Sequence, residues 1–139
     1  MIPVLFKANA VDFSTYGIGV LADCISCEVT EERNGAYELV LQYPVTGRNY
    51  GRLSSERIIK AKPNDTADDQ AFRIYRITTP IDGVVTVYAQ HISYDLSSIA
   101  ALTWSSESIS PALAMQRVFQ NTATTHNFTC QTDYSEVKP

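Results

Sequence analysis

Nothing in these 139 residues approaches the run of about eighteen apolar residues that a membrane-spanning helix needs. The opening segment, Met1 to Lys7, has neither the basic start nor the long apolar middle of a secretory leader, so synthesis in the cytoplasm and no membrane partner are the expectations. Cysteine is scarce, and three is an odd number, which makes no disulfide framework. Basic charge is also thin. Eleven Lys and Arg stand against fifteen Asp and Glu, scattered rather than gathered in a stripe, and a net charge of −4 argues against nucleic acid as the main partner. The chain has no glycine-rich phosphate loop, no Gly-x-Ser-x-Gly elbow and no His-Glu-x-x-His. Two Asn-x-Thr triplets, at Asn64 and Asn127, carry meaning only in a secreted eukaryotic protein.

What is present is material for a core. Apolar residues make up 45% and charged ones 19%, so disorder is not the default. The pattern is that of strands. Ile2 to Lys7 reads as an opening strand, and Gly17 to Leu21 as a short strand or turn. A first hairpin runs from Cys24 to Glu32 and back from Ala36 to Tyr43. Ile25, Cys27 and Val29 alternate on one face, as do Tyr37, Leu39, Leu41 and Tyr43. Asn34-Gly35 is expected to supply the positive backbone angles of its turn, and Pro44 to stop the strand. Residues 45–55 read as a polar surface excursion, Arg57 to Lys62 as a strand, and Pro63 to Asp69 as an acidic loop. A second hairpin joins Phe72–Ile77 to Val84–Gln90. Beyond Leu96 the character changes, with a short helix expected near Tyr94 to Ala100. A further helix is capped by Ser110 with Pro111 at its first position, and Met115, Val118, Phe119 and Thr122 lie on one face. Asn127 to Thr132 reads as the start of another strand. The fold class is α+β and strand-rich. Its organisation is a strand-rich domain over 1–100, followed by a helix and the start of a further strand region over 101–139, cut from a longer protein.

Candidate chemistry is sparse. Cys24 and Cys27 have the spacing of a zinc or redox pair, but residues three apart on a strand face opposite sides, and Cys27 reads better as a small core residue. His91, Tyr94 and Asp95 fall within five residues and offer acid–base groups. The simpler reading is a strand-end histidine bonded to backbone or a nearby carboxylate, with Ser93 and Asp95 starting a helix. His126 stands alone. Glu31-Glu32 and Asp68-Asp69 sit at turns, where adjacent acids usually face water. Tyr16, Tyr50 and Trp104 could belong to core, interface or a sugar-stacking platform. No catalytic, metal-binding or cofactor-binding residue is assigned, and no cofactor is expected.

Several stretches together resemble a family. They are Gly19 to Leu21, Asn34 to Leu39 followed by Tyr43-Pro44, Arg57 to Ala61, Phe72 to Tyr75, and Ala89 to Leu96. They are similar to the N-terminal region of the minor structural proteins of phage and prophage tails, the tail-hub or tail-associated lysin proteins of phages infecting Gram-positive bacteria. The resemblance implies small β-barrel-like domains with a helical insertion. It also implies a homotrimer at the distal end of the tail tube, in contact with the distal tail protein and with tape-measure or tube proteins. Host-binding or wall-cutting domains would follow in the same chain, this region itself would be structural rather than an enzyme, and the tail tip would be its place in the virion. The family also includes proteins labelled endopeptidases. Two other readings therefore stand beside it: wall hydrolysis using the His91, Tyr94 and Asp95 cluster, and a carbohydrate-binding module using Trp104 and surface tyrosines. Exposed strand edges and the loops at 45–55 and 64–69 are the expected sites of subunit contact.

Overall fold

The computed structural model describes residues 1–105 and 107–134. Two compact units are present, Met1–Tyr94 and Asp95–Pro139. The first holds seven strands, β1 (Val4–Phe6), β2 (Gly19–Val20), β3 (Ser26–Glu31), β4 (Tyr37–Pro44), β5 (Ile58–Ala61), β6 (Gln70–Ile77) and β7 (Val84–His91). All pair antiparallel in one sheet, in the order β2-β1-β5-β6-β7-β4-β3.

That order dictates the shape. β2 and β3 are the two ends of the sheet, yet only residues 21–25 separate them in sequence. Seven flat strands about 4.8 Å apart would put those ends about 29 Å from each other. The six peptide steps from Val20 to Ser26 reach only about 20–22 Å when fully extended. A flat sheet is therefore excluded, and the sheet curls into a half-barrel. Its concave face holds the main core, including Leu5, Leu21, Leu39, Leu41, Tyr43, Ile59, Phe72, Ile74, Val85 and Val87. The alternation read from the sequence supplies these residues, since Leu39, Leu41 and Tyr43 of β4 face Ala89, Val87 and Val85 of β7 across the ladder. Part of the convex face is covered too. Val4, Phe6, Ile58 and Ala71 pack against Ala10, Phe13 and Ile92, with Phe13 edge-on to Phe6 at 5.1 Å. This is why all three residues of β1 are buried instead of alternating.

The gap left by the curl is filled by residues 45–53, the stretch expected to be a surface excursion. Val45, Tyr50 and Leu53 pack against the core, and Asn49 is buried. The Asn49 side chain donates to the Val20 carbonyl at 2.7 Å, and its own amide donates to the Tyr43 hydroxyl at 3.2 Å. That hydroxyl donates in turn to Asp23 Oδ2 at 3.3 Å, which also accepts from the Arg48 amide at 2.9 Å. The network ties the 21–25 link, the end of β4 and the outer side of β2 into one clasp. It fits only because Gly19 has no side chain, since a Cβ there would come within 2.8 Å of the Asn49 amide group. Gly17 is needed for two reasons: its φ is +56°, and a Cβ would lie 2.2 Å from the Leu5 carbonyl oxygen.

Other elements differ in detail from the sequence reading. Ile25 precedes β3 and is exposed. At the turn between β3 and β4 only Asn34 takes a positive φ, 58°, while Gly35 is required because a Cβ would strike Glu32. In the second unit the helix α1 (Pro111–Gln120) starts as expected, with the Ser110 hydroxyl accepting from the Leu113 amide at 3.3 Å. Val118, Phe119 and Thr122 line an apolar groove with Leu96, Ile99, Ala101 and His126, but Met115 is exposed. Asn127 to Thr132 is not a strand, because no neighbouring chain among the described residues gives it a ladder. Tyr94 to Ala100 contributes to a 3-10 helix, Ile92–Ser98.

Removing the clasp should cost more than any surface change nearby. Asn49→Ala leaves the Val20 carbonyl without its donor and should lower the unfolding free energy by about 1–3 kcal/mol in urea titrations. Gln42→Ala, on the exposed side of β4, should stay within about 0.5 kcal/mol of the parent protein.

Candidate functional site

The two ends of the sheet are chemically unlike. β2 is short, and its outward carbonyl side is occupied within the unit: Asn49 donates to Val20 and the Arg52 guanidinium to the Ile18 carbonyl. Arg57 in turn braces the Arg52 carbonyl. β3 has six residues and one neighbour, β4, among the described residues. The Glu32 amide bonds the Ala36 carbonyl at 2.8 Å, which makes Thr30, Glu28 and Ser26 the ladder-bonded positions opposite Glu38, Val40 and Gln42. The amides and carbonyls of Cys27, Val29 and Glu31 consequently point away from the sheet. Glu28, Thr30 and Glu31 are exposed, while Cys27 and Val29 are half-buried at the margin of the core. Exposed strand edges are the expected contact sites; of the sheet's two edges, the structure caps the outward carbonyls of β2 and leaves β3 without a second neighbour among the described residues. Of the two loops, 45–53 is folded inward as the clasp. The 64–69 loop stays outside, shaped by Asn64 Oδ1 accepting from the amides of Thr66 and Ala67.

Among the contacts described, His91 and Tyr94 are bonded to different groups. His91 closes β7, stacked on Tyr37 with ring centroids 4.4 Å apart and edge-on to Phe72 at 5.6 Å. Its Nε2–H donates to Gln70 Oε1 at 3.0 Å, and its Nδ1 accepts from the Ser93 amide at 3.3 Å with the Ser93 hydroxyl 2.8 Å away. The partner expected for this histidine was backbone or a carboxylate; the side chains of Gln70 and Ser93 join the Ser93 backbone amide in that role. Tyr94 turns elsewhere, its hydroxyl accepting from the Tyr37 amide at 3.3 Å and donating to the Gly35 carbonyl at 3.4 Å. Asp95 belongs to the second unit. Burial holds the His91 pKa below its usual 6.5, and the nearby Glu31 carboxylate pulls the other way.

Cys24 lies in the link rather than on β3, so the opposite-face argument does not apply to it: Cys24 and Cys27 both pack against the main core. Burial pushes the Cys27 thiol up to about 11 and raises that of Cys24. No group of three or more His, Cys, Asp or Glu side chains able to hold a metal occurs among the described residues. Asp69 pairs with Lys60 at 3.7 Å, and Tyr50 is packed on the core while Tyr16 is exposed. One feature escaped sequence reading. A β-bulge at Ile74/Arg76 puts Tyr75 beside Arg76 opposite Tyr88, so that the two tyrosines lie 6.3 Å apart and the Arg76 guanidinium sits 5.3 Å over the Tyr88 ring. No periodicity in the sequence marks that inserted residue.

A histidine whose folded pKa is depressed stabilises the fold fully only above its unfolded value. Stability should therefore be level near pH 7.5 and fall as pH drops below about 6.5, by at most about 1.4 kcal/mol per pH unit for one proton. Urea unfolding of the parent and of His91→Gln across pH 7.5 to 5 should show that component only in the parent. Cys27 should also alkylate far more slowly than a free thiol at pH 8, read by mass spectrometry after a timed iodoacetamide pulse.

No helix among the described residues is long and apolar enough to cross a membrane. No curated protein and no solved structure matches the chain. A family model does: that of the prophage endopeptidase tail N-terminal domain matches residues 11–91, from the segment before β2 to the last residue of β7. The matched span contains the link, the clasp and the open β3 edge and covers more than half of the sequence, so the chain belongs to the prophage endopeptidase tail N-terminal domain family.

Proposed function

We propose that this chain is a structural subunit of the prophage tail tip, a hub protein whose seven-stranded half-barrel is continued at β3 by a strand from a neighbouring tail protein. The observation that carries this reading is the asymmetry of the sheet: one end is capped from within by Asn49 and Arg52, and the other is a six-residue strand with no second neighbour among the described residues, the backbone groups of Cys27, Val29 and Glu31 pointing outward. An exposed edge of that length is a template for strand addition, because each added backbone bond satisfies groups that water otherwise holds. Family membership places such a module in a prophage tail.

The same reading has the hub as a homotrimer at the distal end of the tube, bordering the distal tail protein and tape-measure or tube proteins. Wall-binding or wall-cutting work is done by domains beyond Pro139. The endopeptidase in the family's description is accordingly not assigned to His91, whose two ring nitrogens are engaged by Gln70 and Ser93.

Immunogold labelling of induced tail particles with an antibody to this chain tests the location: label at the distal tip is expected, and label along the tube or none at all overturns the reading. A backbone variant tests the edge. The Val29 amide points away from β4, so Val29→Pro deletes one outward donor and no ladder bond. The variant should keep a native circular dichroism spectrum yet fail to enter tail particles. Glu28→Pro, which removes a ladder bond to Val40, should lose the fold itself.

A further inference from the structure

Resting on the reading of β3 as the docking edge, we propose that the strand seated there belongs to a different protein and alternates apolar side chains toward the core with Lys or Arg on its outer side. A second β3 is excluded by charge. Glu28 and Glu31 lie on the strand, Glu32 follows it, and Glu38 stands across from Thr30 on β4. Arg33 is the single basic residue between Cys24 and Pro44. Two hairpins paired edge to edge would bring eight carboxylates to one seam, four from each, and like charges facing each other across a strand pair are destabilising. Edges of this kind guard against self-association.

Among the described residues a second copy offers no other open strand edge. Its β2 carbonyls are already taken by Asn49 and Arg52, and its strands bearing basic residues, β5 with Lys60 and β6 with Arg73 and Arg76, lie inside the sheet with a neighbour on each side. With no suitable edge among the described residues of a second copy, the occupant is assigned to a different protein.

Its pattern follows from the pleat. The next strand would set side chains beside Cys27 and Val29, which leave the flank of the core half-covered, and these positions favour apolar residues. Between them its side chains would meet Glu28 and Thr30 on the outer face. There a Lys or Arg faces an exposed carboxylate, with Glu38 one strand further in.

The test uses the full 139-residue chain and a capped six-residue peptide of alternating lysine and valine, matched in length to β3. Amide exchange by NMR should slow at Cys27, Val29 and Glu31. Binding should be on the order of tenfold tighter than for the same peptide with glutamate in place of lysine, and that ratio should shrink between 50 mM and 500 mM salt. In the Glu28→Lys, Glu31→Lys double variant, altered only at exposed positions, the preference should reverse. Equal binding of the two peptides, no binding of either, or protection elsewhere on the sheet overturns the proposal. The tail-subunit reading fails separately. If Val29→Pro still blocks entry into tail particles while the lysine peptide is not bound, β3 docks a strand of other chemistry; if the antibody finds no tail tip, the subunit reading itself falls.

Discussion

The link at residues 21–25 is the constraint on which the rest of this structure depends. It ties together the two ends of a seven-stranded sheet over a distance that a flat sheet could not allow, so the curl is imposed by chain length and not only by strand twist. Once the sheet is curled, the concave face becomes a closed core with Leu21 itself buried in it. The remaining gap must be filled with backbone that still satisfies its polar groups. The clasp of Asp23, Tyr43, Arg48 and Asn49 meets that need with four hydrogen bonds at one corner.

This arrangement divides the labour between the two ends of the sheet. At β2 the chain spends a buried asparagine and two arginines on capping carbonyls or bracing the cap, so that the outward carbonyls of Ile18 and Val20 are bonded within the unit. At β3, among the described residues, the protection is charge. A carboxylate-rich edge is poor at pairing with itself, yet it remains a continuous strand with an apolar inner flank. The two ends of the sheet are therefore chemically unlike, one with its outward carbonyls bonded from within and the other lined with carboxylates.

Much of the fold was legible in the residues. The alternation of Tyr37, Leu39, Leu41 and Tyr43 announced a strand with one buried face, and Ser110-Pro111 announced a helix start, because both signals depend on a local period or a local cap. The role of 45–53 was not legible. Its polar residues and glycines look like surface loop, and Asn49 becomes a core residue only when Val20 and Tyr43, distant along the chain, arrive beside it. The error over Cys24 has the same origin, since its direction depends on where β3 begins. Asn127 to Thr132 has strand composition without a partner, and composition alone does not form a ladder.

The sequence by itself determined the approximate place of the strands of the first unit, the apolar face of β4, that β3 and β4 are joined by a tight turn, and that no familiar catalytic motif is present. These follow from properties of neighbours a few positions apart. Only the tertiary structure decided the strand order, the curl, and which of two edges is closed. It also decided that His91 spends its nitrogens on Gln70 and Ser93, one of them twenty-one residues away. Each of those depends on groups far apart in sequence meeting in space. A pairing of that kind leaves no period in the chain, because its energy comes from contacts that exist only once the sheet has assembled and curled.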